Sequence, residues 1–423
     1  MNARRLRVSA IAAAVAATGL LAAAPALVAR ESSHGSIERG RYLVYAGDCA
    51  ACHTDERGQL FAGGRPIPTP FGTIYSTNIT PDPETGIGNW TSDDFYRAMH
   101  EGVAPGDRRL YPAFPYPWYT KLTRADVDDI RAYLSTLPAV KQANKPSELP
   151  WPFSMREVMA GWNALYFKQG TFKPNPQKSA EWNLGAYLVE GAGHCGSCHS
   201  PKNFAGAPKR DKAFQGGYGE HWYATSLGGD LHDGLGQWSV DDIVRYLKTG
   251  ANARAAAFGP MAEVVHDSTQ HLDADDLHAI AVYLKDLPPH ETGTRSASAN
   301  NGNNVDHDRL ARGRGVYVDD CAGCHMDNGE GIPGVFPPLK GNSVVQAQDP
   351  ETVVHIVLSG EKTAVTKEKP TGLAMPAFDW KLDDQAIADL VTYLRNDWGN
   401  HGAPVDRDKV ADTRSTIVAA RTR

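Results

Sequence analysis

Beyond its first thirty positions the chain has no apolar run long enough to cross a bilayer, and its 423 residues include only seven methionines and six cysteines. The missing second span excludes a polytopic membrane protein. Positive charge is not in excess: 43 Lys and Arg stand against 49 Asp and Glu, a formal net charge of −6. That balance argues against a nucleic-acid partner. No Gly-x-Gly-x-x-Gly unit opens a helix after a strand, so a nucleotide cofactor held in that manner is excluded as well.

The N-terminus is of a different kind from the rest. Arg4, Arg5 and Arg7 form a basic stretch, Val8 to Ala24 is an Ala/Leu/Val run, and Ala24-Pro25-Ala26 offers a small-x-small cleavage site. The pattern predicts a signal peptide over residues 1–26, with an uncleaved short anchor as the alternative. Its removal takes three arginines and moves the net charge from −6 to −9. The remainder is expected to be soluble, or held to a membrane surface by other means, on the periplasmic side of the inner membrane.

An even number of cysteines in an exported chain normally reads as a disulfide framework. Here the six fall into three like patterns: Cys49-Ala-Ala-Cys52-His53, Cys195-Gly-Ser-Cys198-His199 and Cys321-Ala-Gly-Cys324-His325. Two thiols three residues apart reach both vinyl groups of a porphyrin, and the histidine that follows lies under the iron. Redox dithiols or zinc ligands are the rival readings of Cys-x-x-Cys, but neither explains why each pair is followed by His. Three covalent c-type haems are therefore expected.

Iron in such a site usually takes a second axial ligand, most often a Met thioether. Met261 follows His199 by 62 residues and Met375 follows His325 by 50, each in a Gly- or Pro-bearing loop before the last helix of its repeat. Both are candidate ligands, with gap-filling in a core as the alternative.

Internal repetition organises the rest. Each unit opens with a helix carrying Gly and Tyr (Gly40 and Tyr42, Gly185 and Tyr187, Gly313 and Tyr317). Each closes with an amphipathic helix bearing Tyr133-Leu134, Tyr283-Leu284 or Tyr393-Leu394. Small residues facing aromatics let two such helices cross closely, and Ile130, Tyr133, Leu134 and Leu137 mark one buried face. Units one and two share Gly86-Ile-Gly-Asn-Trp90 and Gly234-Leu-Gly-Gln-Trp238, with Thr91 and Ser239 predicted as helix N-caps. Trp90 and Trp238 are read equally as haem-packing or plain core residues.

The fold class expected is mainly α: three consecutive class I-like cytochrome c domains, each a small helical bundle around a haem. They are placed at 36–138, 180–288 and 307–399, with a linker and packing helix at 139–179, a flexible linker at 289–306 and a C-terminal tail at 400–423. The aromatic stretch 151–170 is expected to pack as a helix on unit one or two, or else to be a partner-binding patch.

Unit one lacks the expected methionine. Phe114, 61 residues after His53, stands where a ligand belongs. Met99 aligns with Leu247 on the preceding helix and reads as core, and His100 is no better placed, so the sixth ligand of the first haem is not named.

Several long strings carry a family likeness: Thr73 to Asp82, Gly86 to Trp90, Leu110 to Tyr116, Gly193 to His199 and Gly259 to Val265. Over about residues 36 to 400 the chain resembles the triheme cytochrome c subunits of membrane-associated periplasmic dehydrogenases. Those act on alcohols, gluconate, sorbitol, fructose and related aldehydes. The resemblance implies an electron-transfer subunit and no catalysis of its own. Its expected partners are a flavin-, PQQ- or molybdenum-type catalytic subunit, the inner membrane surface, and ubiquinone or a terminal oxidase as acceptor. Many members have Met where Phe114 stands. The rival is a haem enzyme or small-ligand binder using an open first site, peroxidase-like.

Overall fold

The computed structural model describes residues 35–290 and 306–421. The signal-peptide expectation at 1–26, and residues 291–305 of the linker expected at 289–306, lie outside them.

The molecule is built on three crossed helix pairs: Ser36–Ala46 with Arg124–Leu134, Ala180–Tyr187 with Ala274–Lys285, and His307–Asp320 with Asp384–Leu394. One contact explains all three. A Cβ on Gly40 would lie 1.9 Å from the Asp129 carbonyl oxygen, one on Gly185 1.9 Å from that of Ala279, and one on Gly313 2.2 Å from that of Asp389. Only glycine lets the backbones approach this closely. In each case Tyr133, Tyr283 or Tyr393, four residues further along, covers the same glycine.

Ion pairs reinforce the first and third crossings. Arg39 Nε donates to Asp126 Oδ1 at 2.9 Å, and Arg309 Nε to Asp389 Oδ1 at 2.8 Å, both carboxylates being buried. Burial of an ion pair is tolerable when further hydrogen bonds complete the shell. Arg312 supplies one to Asp389 at 2.7 Å, and the Tyr187 hydroxyl of the second unit donates to Asp126.

Short two-stranded sheets decorate the helices, antiparallel throughout. Pro66–Thr69 pairs with Gly72–Tyr75 and Gln215–Gly219 with Trp222–Ser226, in register Ile67 to Ile74 and Gln215 to Ser226. Helices Ser92–Glu101 and Val240–Thr249 start at capping boxes, Thr91 with Asp94 and Ser239 with Asp242, as the sequence predicts. Both stop at a left-handed glycine, Gly102 and Gly250.

Units one and two share one apolar core, in which Leu43, Val127 and Ile130 join Val189, Leu277 and Leu284. Unit three has its own, around Tyr317, Val354, Ile387 and Leu390. Thr352 joins the two bodies by donating to the Tyr223 carbonyl at 2.7 Å and accepting from its N–H at 3.0 Å. The His355 ring stacks on Trp222 at 4.0 Å.

The stretch 139–150 is strapped onto unit one. Asn144 Oδ1 accepts from the Asn78 N–H at 2.7 Å, and Glu148 exchanges backbone hydrogen bonds with Thr73. Helix Val158–Tyr166 buries Met159 and Trp162 against Tyr116 and Ala207, touching both units. The expected C-terminal tail is in large part a docked helix, Arg407–Arg421, whose Val410, Thr413 and Ile417 are buried. Only three inward positions on an otherwise polar segment gave too weak a periodicity to predict it. Among the described residues no helix is long and apolar enough to cross a membrane.

Candidate haem-binding sites

Each Cys-x-x-Cys-His motif lies on one short helical turn: Cys49–His53, Gly196–His199 just after Cys195, and Ala322–His325 just after Cys321. The turn puts both thiols near one another and the imidazole at its end. No two of the six cysteines are joined in a disulfide. Burial pushes the thiols of Cys49, Cys195 and Cys321 up to about 12, and raises Cys52 and Cys198 also.

The three histidines share a single anchor. His53 Nδ1 lies 2.6 Å from the Thr77 carbonyl oxygen, His199 Nδ1 2.7 Å from that of Thr225, and His325 Nδ1 2.9 Å from that of Pro337. A carbonyl only accepts, so Nδ1 carries the proton and donates, leaving the Nε2 lone pair for a metal. Burial lowers all three imidazoles below the usual histidine range, outweighing the opposite effect of that hydrogen bond, and so keeps them in the neutral ligand form. Paired thiols, an oriented neutral imidazole and an apolar surround are what a covalent porphyrin requires, and the residues present fit it at all three motifs.

The candidate distal residues are placed differently. Met375, on the strand Ala374–Met375, packs into the same cluster as Cys321 and Ala322. Met261, on the turn Pro260–Glu263, lies in a small cluster with Ala257, Val265 and Ala364, joined to the main core through Tyr246. In unit one, Phe114 and Met99 both pack into the core that holds Cys49. Phe114 meets the Tyr119 ring edge-on at 5.5 Å, while His100 is buried and stacked on Tyr96 at 4.8 Å. Trp90 and Trp238 both belong to the main core, Trp238 edge-on to Tyr246 at 5.3 Å.

Sequence reasoning missed how closely the first two motifs are joined. The Tyr119 hydroxyl donates to the Gly47 carbonyl at 2.8 Å, and its ring meets His194, next to Cys195, at 5.4 Å. The Trp118 indole nitrogen lies 2.9 Å from where a Cβ on Gly196 would stand. Arg65 spans the junction: it donates to the Ala51 carbonyl at 2.7 Å and pairs with Glu263 at 2.7 Å and Glu220 at 3.2 Å. Asp48, half-buried beside this cluster, is held well above the usual carboxylate range by desolvation and then by Asp267 and Glu263. The string Tyr116-Pro-Trp-Tyr119 was a visible aromatic signal; Arg65 left none.

Comparison with known proteins agrees with this geometry. The cytochrome c family model matches residues 37–138 and 310–398. The gluconate 2-dehydrogenase cytochrome c subunit of Pantoea cypripedii is 41% identical over 413 residues, covering 92% of each chain. The chain belongs to the family of dehydrogenase cytochrome c subunits. The alcohol dehydrogenase (quinone) cytochrome c subunit of Gluconobacter oxydans (strain 621H) is also 41% identical, over 91% of this chain and 84% of its own. The fructose dehydrogenase cytochrome subunit of Gluconobacter japonicus is 37% identical over 410 residues, 90% of this chain and 83% of its own. As a member of this family the chain is an electron-transfer component rather than a catalytic subunit, and its cofactor is covalent haem c.

Proposed function

We propose that the chain holds three haems and relays single electrons from the catalytic subunit of a periplasmic dehydrogenase oxidising alcohols, gluconate, polyols or aldehydes. The acceptor is ubiquinone or a terminal oxidase. Cys49 and Cys52, Cys195 and Cys198, and Cys321 and Cys324 form the thioethers. His53, His199 and His325 are the proximal ligands, with Met261 and Met375 distal in the second and third domains. The domains are 36–138, 180–288 and 307–399, and residues 1–26 direct export to the periplasmic side of the inner membrane. When bound, each haem supplies a one-electron Fe(III)/Fe(II) couple.

The observation that carries the reading is the repeated anchor, in which three carbonyls fix three imidazoles in one tautomer. A fixed ring changes little on reduction, and small rearrangement suits fast electron transfer. Substrate chemistry then belongs to another polypeptide, since haem of this kind takes up electrons singly. Reductive titration of the purified, haem-loaded protein tests this. Three electrons per chain are expected, with no reduction by alcohol, gluconate or aldehyde alone; fewer electrons, or reduction by substrate without a partner, would refute it.

A further inference from the structure

Helix Val158–Tyr166 carries no charged side chain. Its inward face is accounted for by Met159, Trp162 and Asn163, the last accepting from the Tyr116 hydroxyl at 2.6 Å. Its outward positions, Val158, Ala160, Gly161, Ala164 and Leu165, are all exposed and all apolar, with Leu165 75% exposed. A helix apolar all round is normally covered on every side.

The exposed apolar surface continues beyond the helix. Trp151 is 80% exposed and Phe204 90%, with Phe153 and Met155 also exposed. Direct contacts tie these segments together: Phe153 meets Phe71 at 4.9 Å, Phe71 lies against Gly206, and Trp162 Nε1 donates to the Ala205 carbonyl at 2.9 Å. Isolated exposed hydrophobics need no explanation, but a connected set marks an interaction surface.

The chain segments that form the patch are rich in cations: Arg108, Arg109, Arg156, Lys168, Lys209 and Arg210 lie in them or next to them in sequence, against Glu148, Glu157 and Asp211. Arg156 donates to the Arg109 carbonyl at 2.8 Å and Arg210 to the Tyr166 carbonyl at 2.9 Å, which places both beside the apolar face. Asp107, next to Arg108, is occupied by Arg97 at 2.9 Å. This concentration sits on a chain whose net charge is −6.

Protruding tryptophan, phenylalanine and leucine accompanied by cations complement an anionic lipid surface, where apolar groups enter the headgroup layer and cations meet phosphate. We propose that this face, centred on helix Val158–Tyr166 with Trp151 and Phe204, docks the protein on an anionic bilayer. It names the membrane contact within the electron-transfer reading, but its test does not depend on electron flow.

The test is co-sedimentation of the haem-loaded full-length protein with phosphatidylglycerol-containing vesicles and with pure phosphatidylcholine vesicles. Binding to the anionic vesicles is expected, weakening as salt rises. The double variant Leu165→Glu/Phe204→Glu should lose at least about tenfold in affinity while keeping its haem absorption and melting curve. Lys168→Glu/Lys209→Glu should weaken binding to anionic vesicles alone. No binding, equal binding to both vesicle types, or undiminished binding by the Leu165/Phe204 variant would overturn the proposal. So would variants that still bind vesicles but lose affinity for a dehydrogenase catalytic subunit, since the patch would then be a protein interface. Failure of the three-electron titration with vesicle binding intact would refute the haem assignment and leave this surface standing.

Discussion

Units one and three use one scaffold with different distal residues. In both, a glycine of the opening helix rests on a carbonyl of the closing helix, an arginine grips a buried aspartate, and a carbonyl fixes the motif histidine. Beyond that frame they part. Unit three places Met375 in the cluster of Cys321, whereas unit one presents Phe114 to the cluster of Cys49. Under the proposed haem assignment, the frame would fix where a haem sits, while one loop residue would be free to set its potential.

The largest effects should come from breaking what the units share. Gly40→Ala or Gly313→Ala forces a methyl carbon against a backbone carbonyl and should cost at least about 3 kcal/mol. Gly313→Ala should melt unit three ahead of the rest, since its core is separate, while Gly40→Ala should destabilise units one and two together, a contrast calorimetry can resolve. Asp389→Ala leaves Arg309 without its buried carboxylate and should cost about 3 kcal/mol, read in denaturant titration.

Changes at the distal loop should spare stability and move one haem. Met375→Ala should lower the potential of one haem and turn it high-spin, because a thioether favours Fe(II). Phe114→Met should do the reverse, raising one potential of three and removing any carbon monoxide binding at that site. If Met99→Ala or His100→Ala instead creates a high-spin haem and Phe114→Met changes little, Phe114 is only a packing residue. The smallest effect is local. Ser239→Ala should cost about 1 kcal/mol by uncapping its helix. Burial pulls Asp242 upward, but the Ser239 N–H and hydroxyl and Arg254 hold it below the usual carboxylate range. The part of that contribution made through the Asp242 carboxylate is therefore present at neutral pH and lost as pH falls through the lowered value, so the difference between wild type and variant should narrow in acid.

What was legible in the sequence was local. Cys-x-x-Cys-His is one turn of helix, Thr91 and Ser239 cap within three residues, and Gly40 with Tyr133 announces a close crossing through residue size alone. What was hidden depends on distance along the chain or on a neighbour's surface. Arg65 meets Glu220 from 155 residues away, and nothing around Arg65 marks it as different from any exposed arginine. The helix Arg407–Arg421 reads as polar because its few buried positions acquire meaning only against the helices Glu351–Ser359 and Asp384–Leu394. For the candidate distal residues, loop position pointed to Met261 and Met375 but left unit one open, since a missing side chain type carries no signal for its substitute.

The claim on which the account rests is one haem per motif, and intact mass measures it directly. The wild-type chain, matured in a host that attaches haem, should carry three haem masses. Each of Cys49→Ala/Cys52→Ala, Cys195→Ala/Cys198→Ala and Cys321→Ala/Cys324→Ala should carry two. A wild-type mass with two haems or fewer, or a double variant that still carries three, would contradict it.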